Sequence, residues 1–143
     1  MNNPNYQRLT KGAIGHMLTG TRIEEPVLQV LAYKDTSTND AKRFRLVMSD
    51  GAYTYQLCIM MGEKTNLIET EFDRYCLLKL ERYMLNEVQN RQVIVLAEPV
   101  LLVRGSEVGE RLGEAVAYGS DDAPPLRSVA FRSFFQLLFL SSF

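Results

Sequence analysis

An all-β barrel of five short antiparallel strands is what this 143-residue sequence predicts, and three observations predict it. The first is a run with a period of two, Arg43-Phe44-Arg45-Leu46-Val47-Met48, in which Phe44, Leu46 and Met48 share one face while Arg43, Arg45 and Val47 share the other. The second is Asp50-Gly51 directly after it, a tight reversal in which glycine accepts positive φ. The extended run from 53 to 61 then completes a hairpin over 43–61. The third is the spacing of the remaining β-rich runs, at 27–33, 75–85 and 92–103, separated by polar or glycine-marked stretches.

Taken in order, residues 1–8 are polar, contain Pro4 and predict a loose end. Thr10 is placed to cap a short helix over 11–18, with Gly20 stopping it. Ile14, Met17 and Leu18 fall on one face of that helix, an arrangement suited to plugging the end of a barrel. His16 reads as an ordinary helix histidine, since no partner residues for catalysis or metal binding accompany it. Pro26 introduces the first strand, whose two faces are both largely apolar, and Lys34 closes it. A polar loop over 35–42 leads into the arginine strand.

From 61 to 75 the period of two is lost, and a short helix or irregular segment is expected. The strand at 75–85 places Cys76, Leu78, Leu80 and Met84 on one side and Lys79, Glu81 and Tyr83 on the other. Residues 86–91 read as a hairpin loop. The last strand, 92–103, is nearly all apolar and carries Pro99, which marks an edge or a bulge. Val108 and Leu112 suggest a short closing helix. The predicted interior is Leu28, Val30, Phe44, Leu46, Met48, Leu78, Leu80, Val93 and Val95. Five strands with an insert between the third and fourth, and short capping helices, suggest an OB-fold, a Greek-key barrel with a ligand groove across strands two and three.

Several function classes find no support. The net charge of −1 gives no global positive field for nucleic acid, so affinity for an anion has to come from local clustering. Cys58 and Cys76 lie singly in apolar runs and read as buried thiols of a reducing compartment. With one histidine and no Cys-x-x-Cys, no metal site is expected, and no cofactor motif is present. Residues 105–109 are not a phosphate loop, because no Gly-Lys-Ser/Thr follows. No nucleophile–base pair can be assembled, so an enzyme is not expected. No targeting segment precedes the fold, which reads as intracellular. Lys34, Arg43, Arg45 and Arg91 are the cations that can converge on the groove.

At this point the residues resemble a known family. Leu9-Thr-Lys-Gly-Ala-Ile14, Pro26-Val-Leu-Gln-Val30, Arg43-Phe-Arg-Leu-Val-Met-Ser-Asp-Gly51 and Arg82-Tyr83 near Asn86 are similar, in the same order, to the N-terminal domain of the large subunit of replication protein A. The resemblance covers about residues 9–118. It implies an OB domain that docks acidic amphipathic segments of DNA replication, repair and checkpoint proteins, in the nucleus. It implies groove roles for Arg43, Arg45, Lys34, Asn86 and Arg91. Gln89 and Gln92 stand where the family often has further basic residues, and the loops at 35–42 and 86–92 are a residue shorter. The alternative is weak direct single-stranded DNA binding by the same groove, with Tyr53, Tyr55 and Tyr83 as stacking candidates. Replication protein A is itself a standard example of strands bound in this way.

Three units are therefore expected: a flexible 1–8, the domain at 9–118, and 119–143, a linker-like stretch and an atypical hydrophobic tail. Phe134 to Leu140 is too short to span a bilayer, which takes about 20 apolar residues. A poorly ordered or loosely helical, self-associating tail is expected instead. In the family a Pro/Gly/Ser-rich linker and three more OB domains follow, the last of them used for subunit assembly. Without them, a monomer making no stable assembly with other subunits is expected.

Overall fold

The computed structural model describes residues 3–68, 70–121 and 123. The hydrophobic tail lies outside them. Five strands form the barrel: β1 (Val27–Asp35), β2 (Arg43–Ser49), β3 (Tyr53–Met61), β4 (Leu77–Val88) and β5 (Arg91–Val103). The hydrogen-bonded order is β2-β1-β4-β5-β3, and a further β2–β3 pairing closes the sheet on itself. All contacts are antiparallel except a short parallel one, where Cys58 and Ile59 of β3 face Ile94 and Val95 of β5. Closure leaves the barrel few open edges. A two-residue strand that the sequence does not signal, β6 (Val116–Ala117), runs parallel to the start of β3.

The hydrophobic alternation of β2 is realised as predicted, with Leu46 and Met48 fully buried and Arg43 and Arg45 exposed. Phe44 is the exception. It is half-buried, packing edge-on against Tyr33 with centroids 6.3 Å apart, because it sits near the strand's open end. One other expectation is corrected by a strand irregularity. Between Leu80 and Tyr83 the β4–β5 register shifts opposite Pro99 and Glu98, which reverses the side-chain parity. Tyr83 therefore turns inward at 6% exposure and Met84 outward at 48%. On β5 the interior positions are Ile94 and Leu96. Val93 and Val95 are buried as expected, at 7% and 5%, though outside the cluster that Ile94 and Leu96 join. A strand apolar on both faces carries no period to set its phase.

Residues 86–91 are not a loop. β4 continues to Val88 and β5 begins at Arg91, so a two-residue turn, Gln89-Asn90, joins them with φ of 52° and 64°. Such a turn matches the right-handed twist of the ribbon it closes. The insert between β3 and β4 contains one 3-10 turn, Gly62–Leu67. Lys34 does not end β1, which runs to Asp35.

The N-terminal helix α1 (Ala13–Leu18) covers one barrel end with Ala13, Ile14, Met17 and Leu18 buried. Thr10 does not cap it. Its hydroxyl accepts from the Val27 N–H at 2.9 Å and ties the chain to β1. The first free donor of the helix is met from 36 residues away, where Asp50 Oδ2 accepts from the Ile14 N–H at 2.8 Å. Asp50 Oδ1 accepts from the N–H groups of Ala52 and Tyr53, both at 2.7 Å, within the β2–β3 turn. Gly51 at φ +94° completes that turn and lies under Leu9, leaving little room for a Cβ.

A second apolar cluster, Leu9, Leu77, Val103, Val108 and Leu112, packs outside the barrel beneath α2 (Gly105–Val108). At its edge lies the fully buried Gln29 amide. Nε2 donates to the carbonyls of Tyr75 and Glu110 at 3.1 and 2.8 Å, and Oε1 accepts from the Leu112 N–H at 2.9 Å. Within the stretch expected to be loose, Pro4–Arg8 forms a 3-10 turn, and Asn3 donates to the Val108 carbonyl at 2.9 Å.

Leu46→Ala should destabilise the domain by about 2–5 kcal/mol in denaturant titration, since the site is completely enclosed. Asp50→Asn should cost about 1–3 kcal/mol, because an amide NH2 would face the Ile14 or the Ala52 and Tyr53 donors in either orientation. An unchanged midpoint in either variant would contradict this packing.

Candidate functional site

The outer face of β2 and β3 continues across to the β4–β5 turn, and a groove of about 360 Å³ runs between them. Its floor comes from β3, where Leu57 and Ile59 point outward because Cys58 and Met60 point into the core. Val93 and the 53%-exposed Val88 extend the floor from the hairpin. Arg43 and Arg45 stand along one wall and Arg91 along the other. A second depression of about 580 Å³ adjoins it, shares Leu57 and Arg91, and is lined further on by Val47, Tyr55 and Tyr118.

Electrostatics sharpen the picture. The ion pairs among the described residues join Arg22 to Glu24 and Lys79 to Glu25 and Glu81, away from the groove. Arg43, Arg45, Arg91 and Lys34 make none. Arg43 Nε donates only to the Thr36 hydroxyl, at 3.3 Å. Three guanidinium groups thus border a half-buried aliphatic floor, and among the described residues no carboxylate forms an ion pair with them. Arginine suits this setting, being weakly hydrated and able to bind carboxylates bidentately.

Of the residues singled out in the sequence, the fold brings Arg43, Arg45 and Arg91 around one groove. Lys34 lies directly opposite Arg45 in the β1–β2 register, beside the groove but not lining it. Asn86 is elsewhere. It borders a separate depression of about 430 Å³ with Met17, Arg22, Tyr83 and Met84. Among the stacking candidates, Tyr53 and Tyr83 are buried, at 1% and 6% exposure. Tyr55 is half-buried, and its hydroxyl donates to the Gln92 carbonyl. Burial raises the pKa of Tyr55, with the Arg91 charge opposing the shift. Leu57, Ile59, Thr36 and Val88 are groove residues that sequence reading missed. The alternation Leu57-Cys58-Ile59-Met60, set in phase with β2, was the signal that could have found the first two.

Buried thiols behave as expected of core positions. Burial pushes Cys76 up to about 12 and Cys58 higher still. No group of three or more metal-ligating side chains occurs among the described residues.

A closed five-stranded barrel with a groove across the second and third strands and the last hairpin defines an OB-fold domain. The family model described as Replication factor-A protein 1, N-terminal domain, matches residues 9–103, and the chain belongs to that family. It is 31% identical over 114 residues to the replication protein A 70 kDa DNA-binding subunit of Gallus gallus, covering 78% of this chain and 19% of that protein. To the same subunit of Drosophila melanogaster it is 29% identical over 117 residues, covering 77% and 19%. The Danio rerio subunit is 29% identical over 122 residues, covering 82% and 20%. The chain thus spans about a fifth of the length of the relatives it matches.

Proposed function

We propose that this domain is a protein-docking module rather than an enzyme, and that its groove takes acidic amphipathic segments of DNA replication, repair and checkpoint proteins in the nucleus. The observation that carries this reading is the pairing of unneutralised arginines with an aliphatic floor. A helix with acids along one side and apolar anchors along the other meets both features at once. The anchors on Leu57 and Ile59 supply most of the affinity, while the arginines set encounter rate, orientation and partner choice. The net charge of −1 supports the same reading. A short acidic segment gains from the local patch, whereas a long polyanion also meets the acidic remainder of the surface.

Direct single-strand binding is the weaker reading. Stacking requires exposed aromatic faces, and two of the three candidate tyrosines are buried. Partner proteins are therefore the primary ligands in this reading, with single-stranded DNA secondary.

Reversing Arg43 and Arg45 together to glutamate should abolish binding of an acidic amphipathic peptide, measured by fluorescence anisotropy, while the thermal midpoint stays within a few degrees of the parent. Repulsion then replaces attraction at two points of the same wall. Peptide binding that survives in the folded double variant would sink the proposal. A finer comparison separates the two sides of the hairpin. Arg91→Ala should weaken the peptide by about 0–1 kcal/mol, the range of an exposed ion pair, and steepen its loss with salt no further. Asn86→Ala, on the other depression, should leave the affinity where it was.

A further inference from the structure

We propose that Thr36 is a phosphorylation site, and that its phosphate pairs with the surrounding cations and closes the groove to acidic ligands. This rests on the docking reading and assigns regulation to the same site. The β1–β2 ladder runs Lys34 opposite Arg45 and Asp35 opposite Phe44, and the Thr36 N–H continues it by donating to the Arg43 carbonyl at 2.9 Å. Thr36 and Arg43 are therefore cross-strand neighbours, and Lys34 and Arg45 are the pair two residues further along the same face. Directly opposed side chains start about 5 Å apart and those two along a strand about 7 Å. Thr36 is thus the one hydroxyl in a rectangle whose other three corners are cations.

The existing contacts already point the hydroxyl at this cluster. Thr36 Oγ1 accepts from Arg43 Nε at 3.3 Å and donates to the Arg43 carbonyl at 3.2 Å. The three cations repel one another and pair with no carboxylate among the described residues. A phosphoryl group there carries about −1.5 to −2 charges and three acceptor oxygens, enough to engage Arg43 bidentately and Lys34 or Arg45 besides. Because Thr36, Arg43 and Arg45 line the groove together, the same phosphate occupies the wall an acidic segment needs. Thr36 itself is half-buried, at the base of a loop whose residues 37–42 are all exposed to a modifying enzyme. In the transfer, Oγ1 attacks the γ-phosphorus of a nucleoside triphosphate held by a serine/threonine kinase. The new Oγ1–P bond replaces the bond to the β-phosphate oxygen, the nucleoside diphosphate leaves, and the hydroxyl proton passes to the kinase's base.

The test compares the full chain carrying phosphothreonine at position 36, installed by genetic encoding or ligation, with the same chain carrying it at Thr38, outside the rectangle. By phosphorus NMR, the phosphate on residue 36 should titrate about one unit below its value in the urea-unfolded chain, and Arg43→Gln should remove most of that difference. Acidic-peptide affinity should fall at least about tenfold with the phosphate at 36 and clearly less with it at 38. Folded unmodified protein incubated with cell extract and ATP should acquire phosphate at Thr36 by mass spectrometry. Equal titration in the folded and unfolded chains, equal effects from the two positions, or no phosphate at Thr36 would each overturn the proposal. Should the unmodified domain bind no acidic peptide at all, the docking reading falls by itself, and the phosphorus titration still decides the pairing.

Discussion

The carboxylate of Asp50 ties the β2–β3 turn to the start of α1. One oxygen closes the β2–β3 turn through Ala52 and Tyr53, and the other receives the Ile14 N–H at the start of α1. Burial raises the carboxyl's pKa, while the donated N–H groups pull it down. A buried acceptor of this kind is costly to place and more costly to lose, because each donor it serves would be left without a partner. It sets the hairpin's end against the plug helix, and so it fixes where β2 ends and β3 starts back toward the groove.

From that anchor the site follows by geometry. A strand alternates its faces, so burying Leu46 and Met48 obliges Arg43 and Arg45 to face out. β3, paired to β2, sends Leu57 and Ile59 out on the side of the arginines because it sends Cys58 and Met60 into the core. The wall and floor of the groove are thus the reverse side of the core packing. A one-residue slip of β2 would bury the arginines and expose the leucine and methionine, and core burial makes that slip prohibitive. The cationic wall needs no separate stabilising device.

This coupling explains which parts were legible in the sequence. β2 could be read correctly because its polar and apolar residues alternate cleanly, and the pair of arginines came with it. β5 could not, since Val93 to Leu96 are apolar without interruption and either phase satisfies the pattern. β4 alternates well up to Leu80 and then loses its phase at a register shift that only its pairing with Glu98 and Pro99 creates. Thr10 is a sound local cap by residue type, yet a carboxylate 36 positions from Ile14 took that role. Asn86 and Arg91, both read as loop residues, separate because the hairpin is tighter than its composition suggests. Long-range hydrogen bonds and bulges leave little local signature, and those two features account for most of the differences.

The pairing of β6 with β3 has a consequence for whatever polypeptide comes next. Val116 and Ala117 are hydrogen-bonded beside Tyr53 and Thr54, and Tyr118 packs edge-on against Tyr53 with centroids 5.2 Å apart. Ala117 and Tyr118 also line the depression that shares Leu57 and Arg91 with the basic groove. The chain is therefore leashed at the mouth of its own binding surface. Any flexible segment attached there would sample the groove at an effective concentration in the millimolar range. On the docking reading, an external ligand would have to compete with any such segment that itself enters the groove.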